Sequence, residues 1–140
     1  MPFPSITAAT AVALTVMQML LMLYAASGRG QFQTGLGEGT NPLLLRRVRM
    51  HGNLAENAPI FLILLALVEI SGQWSALVPW FAVAFVAARI LHAIGLAMSA
   101  GATPPRFLGV ILTLFADLGL AALLAITLAS DPHWLTAFRI

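Results

Sequence analysis

The chain has 140 residues, 60% of them apolar and only 9% charged, with a mean hydropathy of +0.93. Soluble domains carry about 25% charged residues, which excludes an ordinary water-soluble enzyme or a disordered tail. A single-domain integral membrane protein over residues 1–140 is expected instead. The absence of cysteine rules out disulfides, thiolate metal sites and a cysteine nucleophile. No metal site is expected, and a net charge of +2 gives no ground for nucleic-acid binding.

A membrane-crossing helix needs about 20 apolar residues, and the pattern predicts four. The first runs from Ser5 to Ala26, entered through Pro2 and Pro4 with Ser5 as N-cap. Its apolar core is longer than a secretory signal requires and no positive charge precedes it. It is therefore read as a retained helix, despite the small residues Ala25-Ala26-Ser27. Residues 28–40 follow: thirteen residues, five of them glycine, forming either a spacer or a rim loop that carries function.

The second helix begins at Asn41-Pro42, N-cap and first helical residue, and becomes apolar from Ala58 to Ile70. After the turn Ser71-Gly72-Gln73-Trp74, the third runs from Ser75 to Ser99 with Pro79 near its start. The fourth runs from Arg106 to Ala129, after Ala100-Gly101-Ala102-Thr103 and Pro104-Pro105. The two short connections make helices 2, 3 and 4 antiparallel neighbours. The expected fold is all-α, a four-transmembrane-helix up-and-down bundle.

All seven basic residues are arginine, and their placement predicts orientation. Arg29, Arg46, Arg47, Arg49 and Arg106 flank the two connections on one side. The other side holds the N-terminus, the 71–74 turn and a C-terminal tail with Arg139 alone. The positive-inside rule puts the arginine-rich side in the cytoplasm and both termini outside; the membrane is the inner one if the cell is bacterial.

Helix 2 carries the strongest chemical signal. At about 100° per residue, Arg46, Arg49, Asn53 and Glu56 fall within an arc of about 80°, while Arg47 and His51 point elsewhere. One polar stripe thus descends toward the bilayer centre. Intramembrane ionisable groups point to function by default; a salt-bridge network that only locks helices is the structural alternative. Counted from the loop edges, Arg89 and Asp117 both lie about 15 Å deep, with Glu56 at a similar level. An unpaired arginine there is costly, so Arg89 is expected to pair structurally with Glu56 or Asp117. His92 suits either ligand contact or an interhelical hydrogen bond, and Glu69, beside the outer turn, is expected to be solvated. A pocket of arginines, which grip carboxylates bidentately, with Asn53, Glu56 and His92, suits a small zwitterion bearing more than one carboxylate. A second, apolar substrate can then arrive through lipid.

The run Arg49-x-x-x-Asn53-x-x-Glu56, followed by Pro59 and an apolar stretch, resembles the signature of the MAPEG superfamily. These are the membrane-associated proteins of eicosanoid and glutathione metabolism, and include microsomal glutathione transferases and leukotriene-forming synthases. Arg49-Met50-His51-Gly52-Asn53, with Ala88-Arg89-Ile90-Leu91-His92, looks most like the small bacterial members. The likeness covers essentially the whole chain. It implies a homotrimer of four-helix bundles binding glutathione between subunits near the cytoplasmic side. Arg49, Asn53 and Glu56 match glutathione-contacting positions, His92 stands where a helix 3 tyrosine would hold the peptide, and Arg29 resembles an arginine reaching in from the neighbouring subunit. Arg106, at the start of helix 4, lies near where the family places an arginine that stabilises the thiolate. Two departures stand out: Asn57 replaces the tyrosine that often follows the motif glutamate, and His92 and Leu96 replace helix 3 tyrosines, leaving Tyr24 as the chain's only tyrosine.

Two function classes follow. As an enzyme, the protein joins the glutathione thiolate to lipophilic electrophiles, or reduces a lipid hydroperoxide. A thiol with a pKa of about 8.5 needs about 2.7 kcal/mol of differential stabilisation to fall by two pH units, which one guanidinium in a partly dry site can supply. As a non-enzyme, it is a trimeric lipid- or fatty-acid-binding membrane protein, a reading that the missing tyrosines favour. A small four-helix exporter ranks last, because such exporters rely on an acid in the first span and helix 1 has none.

Overall fold

Four helices, α1 (Ser5–Gln31), α2 (Pro42–Ser71), α3 (Val78–Met98) and α4 (Pro104–Ser130), make up a computed structural model in which residues 3–37 and 39–131 are described. Each is long and apolar enough to cross a membrane, and no strand occurs among the described residues. Consecutive helices pack against one another, α3 with α4 most closely, and α2 touches all three others. The core lies toward the end carrying the 72–77 turn, where Phe61, Leu65 and Val68 of α2 meet Phe85 of α3 and Leu120 of α4. The Phe61 and Phe85 rings stack 3.7 Å apart. Arg139, assigned to the outer side from its sequence position, lies outside the described residues.

The expected helices are all present, and their ends differ for identifiable reasons. α1 continues five residues past Ala26 to Gln31, because Gly28 packs against Arg47 and Leu44 of α2; tertiary contact overrides the weak helix propensity of glycine. At its other end Ser5 is the first helical residue rather than the cap. The capping falls to Glu69 of α2, whose carboxylate accepts from the backbone N–H groups of Ile6 (2.9 Å) and Thr7 (2.8 Å) and from the Thr7 hydroxyl (2.7 Å). Glu69 is therefore not simply solvated: a carboxylate satisfies the unpaired N–H groups and positive end of a neighbouring helix. α3 begins at Val78, not Ser75, since the Pro79 ring would collide with the Ser75 carbonyl in a continuous helix. The turn before it is held by the Trp74 indole, which donates to Thr127 Oγ1 of α4 at 2.9 Å. α2 starts as expected, with Asn41 Oδ1 accepting from Leu43 and Leu44 N–H.

The connection between α3 and α4 sets the register that matters most. A side chain at Gly95 would meet the Arg106 backbone nitrogen at 2.6 Å, and one at Gly109 would meet the Ala88 carbonyl at 2.7 Å. Arg106 thus sits opposite Gly95, about one turn deeper than loop-edge counting assumes.

Candidate functional site

At the end of the bundle bearing the α3–α4 turn, a cavity of about 310 Å³ opens between α2, α3 and α4. Arg46, Arg49 and Asn53 line it from α2, His92 and Leu96 from α3, and Arg106 from α4, with Leu45 and Ala100 completing the wall. Spacings of three and four residues put the α2 members on one face, and the Gly95 and Gly109 contacts bring α4 near enough for Arg106 to close the other side. Arg106 donates to the Ala100 and Gly101 carbonyls at 3.0 and 3.3 Å. It also borders a second, largely apolar notch of about 320 Å³, formed with Ala102, Phe107 and Val110. Arg106 therefore stands between a polar cavity and an apolar one.

Four residues expected in one site, Arg49, Asn53, His92 and Arg106, do meet here. Arg46 joins them although it was not singled out as a ligand. Its position on the same α2 stripe was the available signal, and it also donates to the Ala97 carbonyl at 2.9 Å, closing the end of α3. His92 is buried, with Nδ1 lacking any hydrogen-bond partner; it makes no interhelical hydrogen bond through that atom and lines the cavity.

Glu56 and Arg29 do not line the cavity. Glu56 pairs with Arg49 at 3.5 Å, both side chains about half exposed (57% and 49%). Arg29 lies in the last turn of α1, donates to the Gly37 carbonyl at 2.5 Å, and borders a separate notch with His51. Tyr24 is also remote from the cavity, under the Arg47 guanidinium at 4.4 Å.

The expected ion pairs of Arg89 are not formed: neither Glu56 nor Asp117 comes within 4 Å of it. Arg89, only 3% exposed, donates instead to Asn53 Oδ1 at 2.7 Å and to Thr113 Oγ1. The cause is the α3–α4 register, which carries Asp117 about one turn deeper than Arg89 and leaves Thr113 at the guanidinium. Asp117 Oδ1 remains buried without a hydrogen-bond partner, within electrostatic reach of Arg89.

A family model, that of the MAPEG family, matches residues 7–126. The matched span takes in α2 and α3 whole, most of α1 and α4, and every residue of the cavity. A search among curated proteins returns no match. Among the described residues, no group of three His, Cys, Asp or Glu side chains is placed to hold a metal ion.

Proposed function

The chain belongs to the MAPEG family, whose members include glutathione transferases and related proteins, and on that premise we propose that it is a membrane-bound glutathione transferase. The observation that carries the reading is the cavity itself: Arg46, Arg49, Arg106, Asn53 and His92 converge on one space at one end of a membrane bundle. Glutathione is a zwitterion with two carboxylates, and guanidinium groups are suited to grip them. Arg49 and Asn53 hold the peptide, Glu56 takes its ammonium, and His92 lines its path. Arg106 faces the thiol and stabilises the thiolate, with the α4 N-terminus adding a favourable field. The thiol proton passes to water, and the sulfur attacks the electrophilic carbon of a lipophilic substrate. A carbon–sulfur bond forms as the leaving group departs, or, for an activated alkene, as the adjacent carbon takes a proton from water. A lipid hydroperoxide is a second acceptor class for the same thiolate.

Arg29 and Glu56 lie off the cavity of a single chain, so the reading assigns them to a homotrimer in which Arg29 reaches the peptide of a neighbouring copy. The arginine end faces the cytoplasm and both termini face away from it, following the positive-inside rule. A non-catalytic, trimeric lipid- or fatty-acid-binding protein is the second reading. The observation favouring it is that the only tyrosine, Tyr24, is occupied with Arg47, away from the cavity. One experiment separates the two. Protein in lipid nanodiscs is mixed with glutathione and a generic aromatic electrophile, and conjugation is followed together with the ultraviolet absorbance of the thiolate. The transferase reading expects both signals; binding of fatty acid with neither signal selects the second reading.

A further inference from the structure

Asn53 is the one cavity side chain that can present either a donor or an acceptor by turning its amide, apart from the imidazole of His92. The arginines of the wall carry donors only. Which end of the Asn53 amide faces the cavity therefore decides whether α2 offers a ligand carboxylate a hydrogen bond or a repelling oxygen.

From this network we infer that Arg89 is a positioning residue: it holds the Asn53 amide with its oxygen turned away from the cavity and its N–H groups turned into it. The guanidinium has no acceptor, so the Asn53 atom 2.7 Å from it must be the oxygen. Arg89 cannot swing aside, because it is almost wholly buried and its other amino group is held by Thr113 of α4. Thr113 is fixed in turn, since its hydroxyl donates to the Gly109 carbonyl at 2.7 Å and so must accept from Arg89. One chain of contacts, α4 to α3 to α2, thus sets the polarity of a wall that Arg89 itself does not line. The inference rests on the glutathione reading for the identity of the carboxylate ligand, but the amide's orientation is independent of it.

The test uses the full chain in lipid nanodiscs. Asn53 is one of three asparagines, so selective ¹⁵N labelling gives three side-chain amide pairs, and Asn53→Asp identifies its own by deletion. Without ligand, the Asn53 amide protons are expected to exchange magnetisation with water in the wild type. Arg89→Gln, which can donate or accept, should weaken that signal or split it in two, and Arg89→Lys, which only donates, should restore it. An amide pair shielded from water in the wild type overturns the inference without reference to glutathione. A second readout is the preference for glutathione over its dimethyl ester, expected to be about tenfold or more, the effect of one charge-assisted hydrogen bond. The preference should fall severalfold in Arg89→Gln, and Arg89→Gln should change nothing in an Asn53→Ala background. A purely structural role would weaken both ligands alike, and an unchanged preference in Arg89→Gln overturns the inference. If Arg89→Gln does not fold, Asn53→Asp decides: it keeps an acceptor toward Arg89 and should favour the ester, so a retained preference for the free peptide overturns it. Wild-type protein that binds neither compound while its amide faces water refutes the glutathione reading alone.

Discussion

Arg106 and Arg49 face the same cavity from different helices, and their proposed roles predict different kinetics. Arg106→Ala should lower kcat by about 10²–10³, the usual effect of deleting one preorganised donor, and raise the pKa of the bound thiol with affinity nearly intact. Arg49→Ala should instead weaken glutathione binding by about tenfold or more. Thiolate absorbance titrated against pH in both variants checks the pair, and an unchanged thiol pKa in Arg106→Ala removes that residue from the mechanism. The convergence of Arg49, Asn53, His92 and Arg106 was legible from helical spacing and the family signature. The partners of Arg89 were not, because a shift of about one turn between two helices exchanges a carboxylate for a hydroxyl, and no local pattern encodes that shift. Glu69 was hidden for the same reason. Its partners lie more than sixty residues away on α1, and hydropathy gives no indication of which helix end will stand beside it.

At the level of the helices, glycines decide how closely α3 and α4 approach. A methyl group at position 109 meets backbone, the Ala88 carbonyl at 2.7 Å and the His92 nitrogen at 2.9 Å, whereas one at position 119 meets the Phe81 ring. Backbone cannot yield as a ring can, so Gly109→Ala should cost about 1–3 kcal/mol and Gly119→Ala less. Thermal unfolding in one detergent measures the order, and a reversed order would mean that α3 and α4 slide freely. Glu69→Ala should lower stability by about 1–3 kcal/mol by leaving the α1 N–H groups without their carboxylate. The helices themselves were readable from apolar run length, and Asn41-Pro42 gave the start of α2. The missed boundaries have local causes: the Pro79 ring delays α3, and the seat of Gly28 on Arg47 and Leu44 prolongs α1.

For the whole molecule, the half-exposed Arg49–Glu56 pair lies on a helix long and apolar enough to cross a membrane. Charged groups within a membrane are tolerated facing protein or water rather than hydrocarbon. Another copy should therefore cover that face, and mass measurement in mild detergent should give a trimer; a monomer at every concentration would refute the assembly. Reporters fused at either terminus should both appear on the non-cytoplasmic side. A last consequence follows from Arg106 standing as a wall between a polar cavity and an apolar notch. Under the proposed reaction, the two reactants approach the same guanidinium from different solvents. The peptide's chemical potential is then set by its aqueous concentration and the electrophile's by its mole fraction in the bilayer. Adding inert lipid at constant total electrophile should slow turnover in proportion to the dilution, while the apparent KM for the peptide stays where it was.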